Sequence, residues 1–154
     1  MSYIGGWNEH GPGLNAGRSW LLSLRQAMDA NGFGGVRYVA ADSFLPSASG
    51  TQLTDMMRAY PAYRRAVSVL GYHDNCRILC AGPARTFGKP VWESELGSVD
   101  TSNGPMLASA INHSWITARS SAVLEWPAVN SISPDLPYQN RGLVVADWPW
   151  SGYY

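Results

Sequence analysis

Pro90-Val91-Trp92-Glu93-Ser94-Glu95 is a short run of β-favouring residues that carries an acid to its exit. Proline suits the first position of a strand, and valine and tryptophan suit its interior, so the run predicts a strand over 90–94 with Glu95 just beyond it. The same design recurs outward in both directions. Tyr3-Ile4-Gly5-Gly6-Trp7 runs into Asn8-Glu9-His10, and Val36 to Ala41 opens into Asp42-Ser43. Val67 to Tyr72 ends at His73-Asp74, and Ala122-Val123-Leu124-Glu125-Trp126 is stopped by Pro127. Each strand thus delivers a polar or aromatic residue at its carboxyl end.

Helical periodicity fills the gaps. Between Arg18 and Ala30, the residues Trp20, Leu21, Leu24, Ala27 and Met28 recur every three or four positions, with Asn15 as a cap and Asn31-Gly32 as the stop. A second helix is expected over about Thr51 to Arg58, ended near Pro61. A third runs from Pro105 to Arg119 on Leu107, Ala108, Ile111, Trp115 and Ala118. Residues 75–88 read as polar and irregular, and the tail from Asn130 holds one apolar strand at Leu143-Val144-Val145. Strands alternating with helices predict an α/β fold with parallel strands joined by right-handed crossovers. An open doubly wound sheet would gather its site at one switch point and carry a glycine-rich fingerprint after a strand. Here the polar residues spread over five strand ends and the fingerprint is absent, which favours part of a (β/α)8 TIM barrel.

Composition narrows the function. The chain has 154 residues with eleven basic and eleven acidic side chains, and Lys89 is its only lysine. No basic run offers a grip on phosphate, so nucleic acid is not an expected partner, nor is a polybasic membrane contact. No apolar run reaches transmembrane length, and no targeting signal is visible at the start. Seven tryptophans and eight tyrosines against three phenylalanines suit a carbohydrate site, where flat apolar faces meet polar rims. His73 with Cys76 and Cys80 lacks a fourth partner at zinc spacing, so neither metal nor organic cofactor is expected. Asn112-His113-Ser114 matches a glycosylation acceptor.

Glu9 and Glu95 at two strand ends suggest hydrolysis of a glycoside. Retention needs one carboxyl to protonate the leaving oxygen and another to attack the anomeric carbon, about 5–5.5 Å apart. Asn8 could bind a sugar hydroxyl, His73 orient a carboxylate or hydroxyl, and Trp126 stack beneath the ring. Strand alternation puts Glu93 and Glu95 on the same side, so spacing does not choose between them. Glu125 beside Trp126 raises the same question.

Tyr3 to Glu9, Lys89 to Ser98, Val69 to His73, Leu136 to Leu143 and Pro149 to Tyr153 together resemble the galactosylceramidase (galactocerebrosidase) family of glycoside hydrolases. The resemblance implies a retaining β-galactosidase acting on galactosylceramide and related glycosphingolipids. It makes Glu9 the proton donor and Glu95 the nucleophile, with Asn8, His73 and Trp126 lining the sugar pocket. Glu93 and Glu125 depart from the family pattern. Glu93 is expected to bind a sugar hydroxyl or to pair with an arginine. Residues 1–130 would then be the C-terminal part of the barrel, about strands four to eight, and 131–154 a tail leading toward a β-sandwich and a lectin-like domain. A fragment of a longer lysosomal or secreted enzyme is the expectation. The alternatives are a barrel glycosidase for another β-glycoside and a catalytically silent carbohydrate binder.

Overall fold

The structure is a computed structural model that describes residues 2–8, 14–43, 47–73, 81–97, 104–127, 129–132 and 144–147. Five parallel strands form one sheet: β1 (Tyr3–Ile4), β2 (Arg37–Ser43), β3 (Val67–His73), β4 (Val91–Leu96) and β5 (Ala122–Glu125). Helix α1 (Leu14–Ala30) joins β1 to β2, and α2 (Ser47–Ala59) with α3 (Pro61–Ala66) joins β2 to β3. Helices α4 (Ala81–Phe87) and α5 (Gly104–Ile116) make the next two crossovers. A separate parallel pair, β6 (Val129–Ile132) and β7 (Val144–Asp147), follows.

Spatial order equals chain order, so the sheet has no point at which the winding reverses. Right-handed crossovers in such a sheet lay every helix on the same face. The other face is free to close on itself, and it does. Tyr3 on β1 and Trp92 on β4 stand three strands apart, yet their ring centroids are 4.7 Å apart. A flat sheet would separate them by three strand spacings, about 14 Å. The result is a curled half-barrel.

The core lies between the sheet and its helices. Tyr38, Ala40, Leu70, Tyr72 and Val91 from the strands pack with Leu21, Leu53, Met56, Met57 and Tyr63 from the helices. Burying each large apolar side chain contributes about 1.5–3 kcal/mol. A second cluster joins Leu96 and Ala110 with Leu107, Ile111 and Val123.

Several local expectations change. Residues 81–87 form a helix, α4, where irregular chain was expected. Ala84 is buried in the core and Phe87 packs against it, and Gly88 at φ +65° lets Lys89 N–H return to Ala84 O at 3.0 Å. Core contact and a glycine stop outweigh the helix-disfavouring Gly82 and Pro83. Pro61 ends one helix but also opens another, α3, whose Tyr63 is buried. Helix α1 begins at Leu14, so Asn15 lies within its first turn and not ahead of it. The longer helix sets Gly17 against the Trp7 indole, where a Cβ would sit 3.0 Å from Nε1. The stop at Gly32 is as expected: φ is +84°, with Phe33 N–H on Met28 O and Gly32 N–H on Asp29 O.

Helix α5 packs Leu107 and Ile111 inward as its spacing predicts, but Ala110 and Ser114 face inward in place of Ala108 and Trp115. Trp115 is 53% exposed, while Ser114 is fully buried beside Ala110. The cause is electrostatic. Glu93 of β4 is 1% exposed on the helix side, and Ser114 Oγ donates to its Oε2 at 3.0 Å. A buried carboxylate needs donors more than α5 needs to bury an indole. Ser114→Ala removes one such donor and is expected to cost about 1–3 kcal/mol, measured as a lower urea midpoint at unchanged m.

Candidate active site

Two register shifts at the carboxyl ends of the strands build the site. Tyr72 pairs with Glu93 and His73 with Glu95, which leaves Ser94 as an extra residue on β4. The same excess shows toward β5, where Glu93 pairs with Val123 and Leu96 with Glu125. One extra residue breaks the alternation of side chains. Glu93 therefore faces α5, while Glu95 pairs with His73 at the rim. The expectation that Glu93 and Glu95 share one side does not hold, because alternation applies only to an unbroken ladder.

The second shift lies on β2. Ala41 pairs with Gly71 and Ser43 with Tyr72, leaving Asp42 as the extra residue. Asp42 has φ +41°, a left-handed conformation that aspartate tolerates better than most residues. Its Oδ1 accepts from Ser94 Oγ at 2.6 Å and lies 3.2 Å from His73 Nε2. Asp42 on β2 reaches Ser94 on β4 across β3 because Gly71 has no side chain. A Cβ there would lie 2.7 Å from Ser94 Oγ, 2.8 Å from Val39 Cγ1 and 3.1 Å from Asp42 Oδ1.

On its other edge, His73 holds Nδ1 3.8 Å from Glu95 Oε2. The His73 side chain is 2% exposed and that of Glu95 26% exposed. The imidazole is thus buried between a recessed carboxylate and a more open one.

Burial pushes the Asp42 carboxyl up, but hydrogen bonds from His73 and Ser94 and the charge of His73 together hold it below its ordinary value of 3.8. A carboxyl lowered on folding stabilises the fold above its unfolded pKa and loses that contribution as pH falls through its folded value. Asp42→Asn is therefore expected to be less stable than the parent at pH 7, with the difference shrinking below pH 3.8. Urea midpoints at the two ends of that range check it.

The other expected site residues divide. Asn8 is exposed just beyond β1. Glu9 lies outside the described residues, as do Cys76 and Cys80. The chain before Asn8 is anchored by Trp7, whose ring centroid is 5.9 Å from that of Trp20. Trp126 is 43% exposed after β5, and its N–H donates to Leu96 O at 3.3 Å. Its ring covers Gly97, where a Cβ would meet Cε3 at 3.0 Å. Glu93 lies away from this rim, and Ser114 of the glycosylation pattern is buried against it.

Sequence reasoning placed Asp42 at a strand end without giving it a role, and it missed Ser94. Asp42 had the right signal, an acid at the carboxyl end of a strand. Ser94 carried none, because its place depends on the register of the neighbouring strand. Among the described residues, no helix is long and apolar enough to cross a membrane.

Comparison with known proteins adds a separate line. The sequence profile of glycosyl hydrolase family 59 matches residues 1–154. Galactocerebrosidases of Mus musculus and Homo sapiens are each 30% identical to the chain, over 156 and 158 residues. That of Salmo salar is 29% identical over 156 residues. The chain is covered completely in all three, and it spans 21% of the length of the mouse and human proteins and 22% of the salmon protein. Among solved structures, SrfJ from Salmonella typhimurium superposes with a TM-score of 0.79 at 10% identity, covering all of this chain and 39% of SrfJ. That likeness concerns the fold alone, and it agrees with a partial barrel.

Proposed function

The chain belongs to glycosyl hydrolase family 59, and from that premise we propose that it carries the catalytic rim of a retaining glycosidase that releases galactose from galactosylceramide-like β-galactosides. The sugar and its lipid aglycone follow the relatives, which are named galactocerebrosidases. In this reading β1 to β5 are strands four to eight of an eight-stranded barrel. The complete protein would add the remaining strands and further domains, and would work in the lysosome or outside the cell.

The observation that carries the reading is the bulge at Ser94. It gives β4 two glutamates with opposite surroundings, Glu93 sealed against α5 and Glu95 open at the rim beside His73. A nucleophile must be reachable by the sugar, and the 26% exposure of the Glu95 side chain against 1% for Glu93 supports that role for Glu95. In the first half-reaction a Glu95 oxygen attacks the anomeric carbon. The glycosidic C–O bond breaks and its oxygen takes the proton of Glu9. In the second, Glu9 removes a proton from water, the water oxygen displaces Glu95 from the anomeric carbon, and galactose leaves with β configuration. Asn8, next to Glu9, binds a sugar hydroxyl, and Trp126 forms an apolar wall over Gly97.

Covalent capture tests this. A 2-deoxy-2-fluoro-β-galactosyl fluoride should label the complete protein once, and peptide mapping should find the sugar on Glu95. A label on Glu93 would overturn the residue assignment. A folded protein that takes no label and hydrolyses no β-galactoside would overturn the reaction.

A further inference from the structure

We propose that Asp42 is a positioning residue for this reaction: it holds the His73 ring, and the ring in turn sets where the attacking oxygen of Glu95 stands. The function assigned to Glu95 rests on the reading above. The hold of Asp42 on His73 does not.

Three strands meet at this carboxylate. Asp42 extends from the bulge on β2, His73 ends β3, and Ser94 is the extra residue on β4. Oδ1 of Asp42 joins the other two at 3.2 Å and 2.6 Å, and Ser94 Oγ also lies 3.2 Å from Tyr72 O. An ionised carboxylate only accepts hydrogen bonds, so a bond to His73 Nε2 requires the proton on that nitrogen. The tautomer is thereby chosen, and Nδ1 is turned toward Glu95 Oε2, 3.8 Å away. At that separation the ring acts on Glu95 by packing, and no hydrogen bond joins the two atoms. His73 moves no proton in the attack, and Asp42 touches no reacting atom.

Backbone geometry supports a positioning role. A non-glycine residue at φ +41° sits in a sparsely populated region, which persists only where surrounding contacts hold it. The left-handed turn is what points the carboxylate across β3. An acid serving only as a surface group would not need it, and the Asp42 side chain is 17% exposed. The bulge on β2 falls opposite Gly71 and Tyr72, and that on β4 opposite Tyr72 and His73, one residue further along β3. The two insertions and the bare glycine together make a connected chain from Asp42 to Glu95.

Asp42→Asn is the variant of choice, since asparagine also tolerates the left-handed turn and removes only the charge. The first measurement needs no variant for its main result. In the intact protein labelled with 15N at histidine, with His73→Phe used for assignment, His73 should carry its proton on Nε2 when neutral. That proton should exchange slowly with solvent, and Asp42→Asn should speed its exchange at least about tenfold. A neutral ring protonated on Nδ1, or an exchange rate indifferent to Asp42→Asn, would overturn the proposal.

The second measurement is a double-mutant cycle on β-galactoside turnover. Asp42→Asn should lower kcat about tenfold or more with KM within about twofold, and should do nothing further once His73 is phenylalanine. Equal losses in both backgrounds would mean that Asp42 does not act through His73. If the parent turns over no β-galactoside, the proposed reaction fails and so does the catalytic part of this inference, while the labelling experiment still decides who holds the ring.

Discussion

Glu95→Gln in the complete protein is expected to reduce kcat on a β-galactoside by at least about 10³-fold. The amide keeps the size of the carboxylate but lacks the charge and the nucleophilic lone pair that attack requires. Binding should survive, because the change removes an interaction realised mainly in the transition state. The informative control is Glu93→Gln, two residues earlier. Its amide oxygen can still accept the hydrogen bond from Ser114 Oγ, and the side chain faces α5. Its kcat should stay within about threefold of the parent. Steady-state kinetics of both variants, with urea midpoints to establish folding, separate the two glutamates. Loss of activity in Glu93→Gln with an active Glu95→Gln would reverse the assignment.

Gly71→Ala is the second. A Cβ at this position would meet Ser94 Oγ at 2.7 Å, Val39 Cγ1 at 2.8 Å and Asp42 Oδ1 at 3.1 Å. None of these can retreat freely. Val39 and Leu70 are buried, and Ser94 and Asp42 are tied to each other and to His73. Overpacking of this kind costs about 1–3 kcal/mol. A displacement near 1 Å at a reacting group can cost about 10²-fold in rate. Gly71→Ala should therefore lose both stability and kcat, with KM less affected. Gly35→Ala is the matched control, since a Cβ there meets nothing within 4 Å, and it should stay within about 0.5 kcal/mol of the parent. A fully active Gly71→Ala would mean that the Asp42 cluster has room to shift and does not govern Glu95.

Most of the architecture was legible in short stretches. Val67 to Tyr72 and Val91 to Trp92 announce strands by β-branched and aromatic residues, and Asn31-Gly32 announces the end of α1. Both signals are local, depending on a few residues and on the conformations they prefer. Helix α4 was not legible. Its sequence is short and holds Gly82 and Pro83, and it is held by Ala84 and Phe87 against side chains far along the chain. Helix α5 departs from its spacing for a related reason, and only in part, since Leu107 and Ile111 pack inward as that spacing predicts. Apolar spacing favoured Trp115, but the partner that mattered was a buried carboxylate on β4.

The site divides along the same line. The sequence alone carries the placement of polar residues at the carboxyl ends of successive strands, since local preference sets the strands and their exits. It also identifies, through the ordered motifs around Glu9 and Glu95, the family to which the chain belongs. The curl that brings Tyr3 onto Trp92 and the separation of Glu93 from Glu95 come only with the folded chain. Folding alone draws Asp42 and Ser94 into contact with His73. The reason is physical: a bulge is a mismatch in residue count between two strands, so neither strand carries it alone. A single inserted residue reverses which side every later side chain faces.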